Sequence, residues 1–187
     1  MTRRPLRADA LRNREHLLGI ARQVFASEGL DVPIDEIAKR AGLGIGTVYR
    51  HFPNKEALFE AIVVDQLERF VEETDALHKE ADAERALLQF LDKYAAAGAA
   101  KKDFIEALGQ AGPTPAIRKF FKRINESMGL LLSRAQKAGA IRKDVGVDEI
   151  LVLLRGVLAA GADYAGPPEG RSRIWAVVLD GLRARKV

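Results

Sequence analysis

The chain has 187 residues, 48% hydrophobic and 30% charged, enough for one large domain or two small ones sharing a core, and too apolar for disorder. No apolar run approaches the roughly 20 residues that cross a bilayer, the basic start from Met1 to Arg7 lacks the apolar core of a secretory signal, and the absence of cysteine removes disulfides and thiolate chemistry. The net charge of +4 sits entirely in residues 1–55, where ten Lys and Arg face six Asp and Glu, leaving twenty of each sign in the rest.

A cytoplasmic protein with no membrane partner is therefore expected. A basic segment beside a neutral body is the electrostatic footprint of nucleic-acid binding. Five arginines crowd residues 3–14, yet basic tails are common, so the charge needs a fold to act through.

Helix formers dominate from end to end, and no sustained period-2 alternation marks a strand. From Asp9 to Glu28, residues Leu17, Ile20, Ala21, Val24 and Phe25 make an apolar stripe at helical spacing. Gly29 suits the left-handed turn past that helix end. Pro33 suits the first turn of the next helix, where Ile34, Ile37, Ala38 and Ala41 share one face. Gly42-Leu43-Gly44 breaks it. A second short helix spans Ile45 to His51 and stops at Phe52, because Pro53 disfavours helical geometry there. Asn54 then caps a longer helix whose core face is Leu58, Phe59, Ile62 and Val63. Further on, Gly98 to Asp103 is expected to end a helix that starts near Ala83. Gly112-Pro-Thr-Pro115 precedes a long helix reaching about Ala138, and Gly166-Pro-Pro168 separates final helices near 148–165 and 169–185.

Two short helices joined by a glycine-containing turn, with a longer helix before them, form a helix-turn-helix. The second helix must offer one slim polar face to a major groove about 12 Å wide. Val48 and Phe52, four apart, can anchor it, which leaves Thr47, Tyr49, Arg50 and His51 for bases and phosphates. Gly46 lets the helix start approach the DNA, and Lys55 opens the following helix, where unpaired N–H groups favour a phosphate. Three small helices with an ordinary solvated face are the plainer alternative.

The segment from Ala26 to Leu58 strongly resembles the TetR family of bacterial regulators. The resemblance is most specific at Ile37-Ala38, Ala41-Gly42 and Gly46-Thr47-Val48-Tyr49-Arg50-His51-Phe52-Pro53-Asn54-Lys55-Glu56, and it covers about residues 10–60. It implies an all-α homodimer with an N-terminal three-helix helix-turn-helix domain, residues 1–55, and a helical ligand-binding and dimerisation domain, residues 56–187. The implied role is a repressor released from a palindromic double-stranded operator by an unknown small-molecule effector. An activator, or a regulator that recruits a protein partner without an effector, is the competing expectation.

Carried over residue by residue, the resemblance puts base or phosphate contacts on Thr47, Tyr49, Arg50 and His51, and a phosphate on Lys55. Ile45 and Gly46 complete the DNA-facing set. Arg3, Arg4 and Arg7 become a flexible arm reaching the backbone or minor groove. The sequence departs from the family at two places. The family often carries a hydroxyl residue where Pro33 stands, so no phosphate contact is carried over to that helix start. A polar or basic residue is common where Ile45 stands, so an apolar contact, such as one to a thymine methyl, is expected instead.

In the body, the last two helices each bear an apolar stripe. Leu151, Leu154, Leu158, Ile174, Val178 and Leu182 are the expected dimer interface of a four-helix arrangement, although the stripes could equally bury within one subunit. Phe90, Tyr94, Phe104, Phe121, Asn125, Met128, Tyr164 and Trp175 are the candidate lining of a moderately apolar effector pocket, with ordinary core the more frequent role for any one of them.

No enzyme, cofactor or metal is expected. Glu72, Asp75 and His78 are too sparse for a specific metal site. Gly42-Leu-Gly-Ile-Gly46 follows a helix rather than a strand, and Tyr49 stands where a dinucleotide loop needs its third glycine.

Overall fold

The computed structural model describes residues 4–107, 112–162 and 164–184, with side chains for all of these except 4–11, 98–107, 162 and 168. Among the described residues there are eight α-helices: α1 (Arg4–Glu28), α2 (Ile34–Arg40), α3 (Ile45–His51), α4 (Lys55–Asp75), α5 (Ala83–Ala107), α6 (Pro115–Lys137), α7 (Val147–Ala162) and α8 (Pro168–Leu182). A 3₁₀ turn, Ala76–Lys79, follows α4, and a single antiparallel bridge joins Ile141 to Arg183. Among the described residues no helix is long and apolar enough to cross a membrane.

The chain divides into two compact units. One is Met1–Gln66 with Lys102–Ile117, and the other is Leu67–Lys101 with Arg118–Val187. The division falls inside α4, eleven residues past the expected boundary at Lys55.

In the first unit, Leu17, Leu18, Ala21, Val24 and Phe25 of α1 are buried with Ile34, Ile37 and Ala38 of α2 and Leu58, Phe59, Ile62 and Val63 of α4. Phe25 and Phe59 meet with ring centroids 5.0 Å apart. Pro33 serves as the cap before α2 rather than within it, and its carbonyl accepts the N–H groups of Glu36 and Ile37.

In the second unit, α6 lays a continuous face of Ile124, Met128, Leu131, Leu132 and Ala135 into the core, with Ala86, Leu87, Phe90 and Leu91 of α5. Arg134 of α6 fastens the 3₁₀ turn by donating to the carbonyls of His78 (2.9 Å) and Glu80 (2.6 Å).

Two expectations change. The helix from Ala83 passes through Gly98 to Ala107, because one glycine costs only about 1 kcal/mol against a run of alanines. Helix α1 begins at Arg4, so Arg4 and Arg7 lie in helical turns rather than in an extended arm.

Candidate nucleic-acid interface

The turn that sets α3 against α2 is specified by one glycine. Gly42 has φ +65°, the left-handed geometry that a Cβ disfavours. It allows a paired C-terminal closure, in which Gly42 N–H bonds the Lys39 carbonyl at 3.1 Å and Leu43 N–H bonds the Ala38 carbonyl at 3.0 Å. Gly44 then caps α3 without a side chain, its carbonyl accepting from Thr47 N–H at 2.8 Å.

Helix α3 is held from beneath by Val48, fully buried, and by Phe52, 3% exposed, whose N–H closes on the Val48 carbonyl. The Arg14 guanidinium lies 5.7 Å from the Phe52 ring centroid. The outward face carries Ile45 and Tyr49, one turn apart and 41% and 45% exposed. Gly46 and Arg50 are exposed as well, and Thr47 and His51 are half-buried at the margins. A Cβ at Gly46 would meet nothing within 4 Å, so this glycine fills no packing need and leaves a bare strip of backbone. Arg50 folds along the helix, its Nε donating to the Gly46 carbonyl at 3.0 Å. The Tyr49 hydroxyl donates to Asp35 Oδ1 of α2 at 3.4 Å.

Asn54 caps α4 as its sequence position implies, its Oδ1 accepting from Ala57 N–H at 2.8 Å. Lys55 is half-buried in that first turn, its ammonium 5.7 Å from the Phe59 ring and 6.0 Å from Phe25. The aromatic pair thus restrains the cation by its ring faces, which no local sequence pattern announced.

Not all of the basic excess is available to a ligand. Arg22 pairs with Asp65 at 3.2 Å. Arg40 clasps Glu28 with both terminal nitrogens and reaches Glu36 at 3.0 Å. That hydrogen bonding holds the Glu28 carboxyl below the usual carboxylate range and pushes the Arg40 guanidinium above its own. These two arginines fix helices to each other. Arg3 lies outside the described residues, as do the side chains of Arg4 and Arg7. Asp35, omitted from the sequence-based set, is part of the same surface through Tyr49; the pairing spans 14 residues and has no local signature.

Two family models match the chain. The one for bacterial regulatory proteins of the tetR family matches residues 17–62, and the one for the C-terminal domain of SbtR-like transcriptional regulators matches residues 82–184. The chain belongs to the TetR family. The crystal structure of a TetR transcription regulatory protein from Mycobacterium vanbaalenii is 39% identical, with a TM-score of 0.74 over 96% of this chain and 100% of that one. A TetR regulator from Streptomyces coelicolor is 30% identical, with a TM-score of 0.70 over 92% and 99%. An HTH-type transcriptional regulator of Staphylococcus aureus is 32% identical over 91 residues, 46% of this chain and 49% of that protein. The chain thus spans about half the length, or less, of the curated relatives it matches.

In this TetR-family body the expected interface residues separate into two groups. Leu151, Leu154, Val178 and Leu182 are buried in the chain's own core, 0–8% exposed, and Leu158 is half-buried. Leu151, Leu154, Val178 and Leu182 are therefore corrected to intramolecular packing. Of that set only Ile174 is exposed, at 40%. The exposed apolar surface of these two helices is instead Val152 (63% exposed), Leu153 (41%) and Val177 (71%), with Ile174 and the exposed small residues Gly156, Ala159, Ala160 and Gly181; Leu130 of α6 is exposed as well, at 61%.

Of the expected effector lining, Phe90 and Met128 are fully buried. Phe70 receives Phe90 edge-on at 5.4 Å and Tyr94 at 6.3 Å. Burial raises the Tyr94 hydroxyl pKa, against the opposing charge of Arg155. Phe121 is half-buried and Asn125 exposed. The Trp175 indole N–H is taken by Asp92 at 2.5 Å. The Tyr164 ring lies over Gly166 and Gly170, where any Cβ would collide with it. The Phe104 side chain lies outside the described residues. Phe90 and Tyr94 thus come together around Phe70, while Asn125 faces solvent.

A surface cleft lined by Arg142, Asp144, Asp180, Gly181 and Arg183 is filled with its own ion pairs, Arg142–Asp144 at 2.6 Å and Arg183 with Asp180. Of the sparse acid–histidine trio, Asp75 pairs with Arg123 at 3.1 Å and the His78 ring is hydrogen-bonded to Ser127 at 2.7 Å. Among the described residues no group of three potential ligands could hold a metal ion.

Proposed function

We propose that this protein is a dimeric repressor that places α3 in the major groove of a two-fold-symmetric operator and leaves it when a small molecule binds the helical body. The observation that carries the DNA half is the division of α3: Val48 and Phe52 are buried, while Ile45, Gly46, Tyr49 and Arg50 face outward. Ile45 and Tyr49 offer apolar contact to base edges, and Arg50 offers a charged fork for guanine or phosphate. Thr47, His51 and Lys55 supply phosphate contacts at the margins, with Arg3, Arg4 and Arg7 adding basic charge. Residues 1–55 form the DNA-reading domain and residues 56–187 the regulatory one, with α4 common to both.

The dimer forms through the exposed aliphatic face of α7 and α8. Val152, Leu153, Ile174 and Val177 are more apolar surface than isolated exposed residues explain, and the neighbouring glycines and alanines permit close helix approach. The effector is moderately apolar and meets the Phe70–Phe90–Tyr94 cluster. The role is non-enzymatic, needs no cofactor and is exercised in the cytoplasm.

Gel shifts at fixed salt test the reading. The protein should bind a two-fold operator, and Arg50→Ala should weaken that binding about tenfold while leaving the dimer folded. Wild-type affinity in Arg50→Ala would remove that contact from the assignment. Failure of the parent protein to bind any two-fold site would remove the assignment as a whole.

A further inference from the structure

We propose that Asp35 reads a base: its carboxylate, aligned by the Tyr49 hydroxyl, accepts a hydrogen bond from the amino group of a cytosine in the major groove. The inference rests on the DNA-binding reading above and adds a specificity determinant from α2 to the face of α3.

Asp35 is exposed in the first turn of α2. Its contact with the Tyr49 hydroxyl places the carboxylate beside the outward face that Ile45 and Tyr49 form. An acid in a first helical turn gains from the helix dipole, but Glu36 already supplies one there and also holds Arg40 at 3.0 Å. Asp35 makes no ion pair among the described residues, and its Oδ2 keeps its lone pairs. Glu36 is thus engaged with Arg40, while Asp35 has only the Tyr49 hydroxyl beside it.

The chemistry of the groove narrows what Asp35 can meet. Every phosphate repels a carboxylate, so the residue cannot serve the backbone contacts that position the protein. On the base edges of the major groove, an acidic side chain matches the N4 amino donor of cytosine, whereas guanine presents only acceptors. With Oδ1 turned toward the Tyr49 hydroxyl at 3.4 Å, Oδ2 is the atom left to accept. The tyrosine acts here as a positioning residue, since its hydroxyl restricts the carboxylate and its ring stays free for apolar contact.

The test is selection of bound DNA from a random pool by the full-length wild type, Asp35→Ala, Asp35→Asn and Tyr49→Phe, followed by competition binding at one salt concentration. The wild type should select two-fold-related half-sites with cytosine fixed at one position of each. Asp35→Ala should keep the other positions and lose this one, with discrimination against its substitution falling about tenfold. Asp35→Asn keeps the shape and can both accept from N6 and donate to N7 on the major-groove edge of adenine, so it should move the preference to adenine. Tyr49→Phe should weaken the cytosine preference without changing it. A role confined to helix stability would lower the melting temperature and leave base preference untouched. An unchanged preference at every position in Asp35→Asn overturns the inference even where Asp35→Ala fails to fold. A wild type that selects no two-fold site overturns the DNA-binding reading instead.

Discussion

Helix α3 and the pair α7–α8 both leave hydrophobic side chains in water, but they do so in different company. On α3 the exposed Ile45 and Tyr49 stand beside Arg50 and a bare glycine. On α7 and α8 the exposed Val152, Leu153 and Val177 stand beside alanines and glycines, with Arg155, Arg173 and Asp180 exposed at the edges. The first mixture suits base edges flanked by phosphates, where charge gives affinity and apolar groups meet thymine methyls. The second suits another aliphatic surface, since small residues beside the exposed aliphatic ones let helix backbones approach. On the proposed reading, exposed apolar area marks both partners, and its neighbours distinguish them.

The widest separation between the two regions should come from what lies beneath α3. Phe52→Ala removes the ring under the recognition helix and should cost about 3–5 kcal/mol, seen as an earlier denaturant transition of the first unit. Val177→Asp puts a charge into the proposed aliphatic interface. It should give monomers in sedimentation equilibrium with helicity unchanged, and DNA binding should fall because a monomer reads only one half-site. A dimer that survives would move the interface elsewhere.

Smaller changes sharpen the contrast. Gly170→Ala puts a methyl where the hydroxyl end of Tyr164 lies, so the ring must swing aside, with a changed tyrosine signal in near-ultraviolet dichroism and no effect on DNA contacts. Lys55→Met keeps much of the packing on Phe25 and Phe59 but removes the charge. The slope of log affinity against log salt should shrink by about one for each phosphate that the lysine no longer neutralises. An unchanged slope would show that the aromatic pair, and not DNA, uses this lysine. The smallest effect is in pH. The folded Glu28 carboxyl titrates below 4.5 because Arg40 hydrogen-bonds it, so its contribution to stability is present above pH 4.5 and lost as pH falls through the depressed value. Replacing Glu28 by Gln should flatten thermal stability over that acidic window.

Local signals in the sequence carried the DNA-binding unit. Gly29 and Gly42 both adopt positive φ, +86° and +65°, Asn54 caps α4, and α3 runs from Ile45 to His51 as its boundaries suggest. The less legible features depend on neighbours distant in the chain. The apolar periodicity of α7 and α8 identified helices, but each has apolar residues on more than one face. Periodicity alone could not tell that Leu151, Leu154, Val178 and Leu182 turn inward while Val152, Leu153 and Val177 turn out. Arg22 and Arg40 counted toward a basic footprint, yet acids 43 and 12 residues away hold them. The Tyr49–Asp35 pairing was hidden for the same reason.

The division of labour between the two exposed faces is tested most directly by Tyr49→Ala, assayed for operator affinity at fixed salt and for mass in sedimentation equilibrium. With Tyr49 45% exposed, the variant should remain a folded dimer and bind the operator about tenfold or more weakly. Wild-type affinity in a folded dimer would contradict the assignment of the α3 face to DNA.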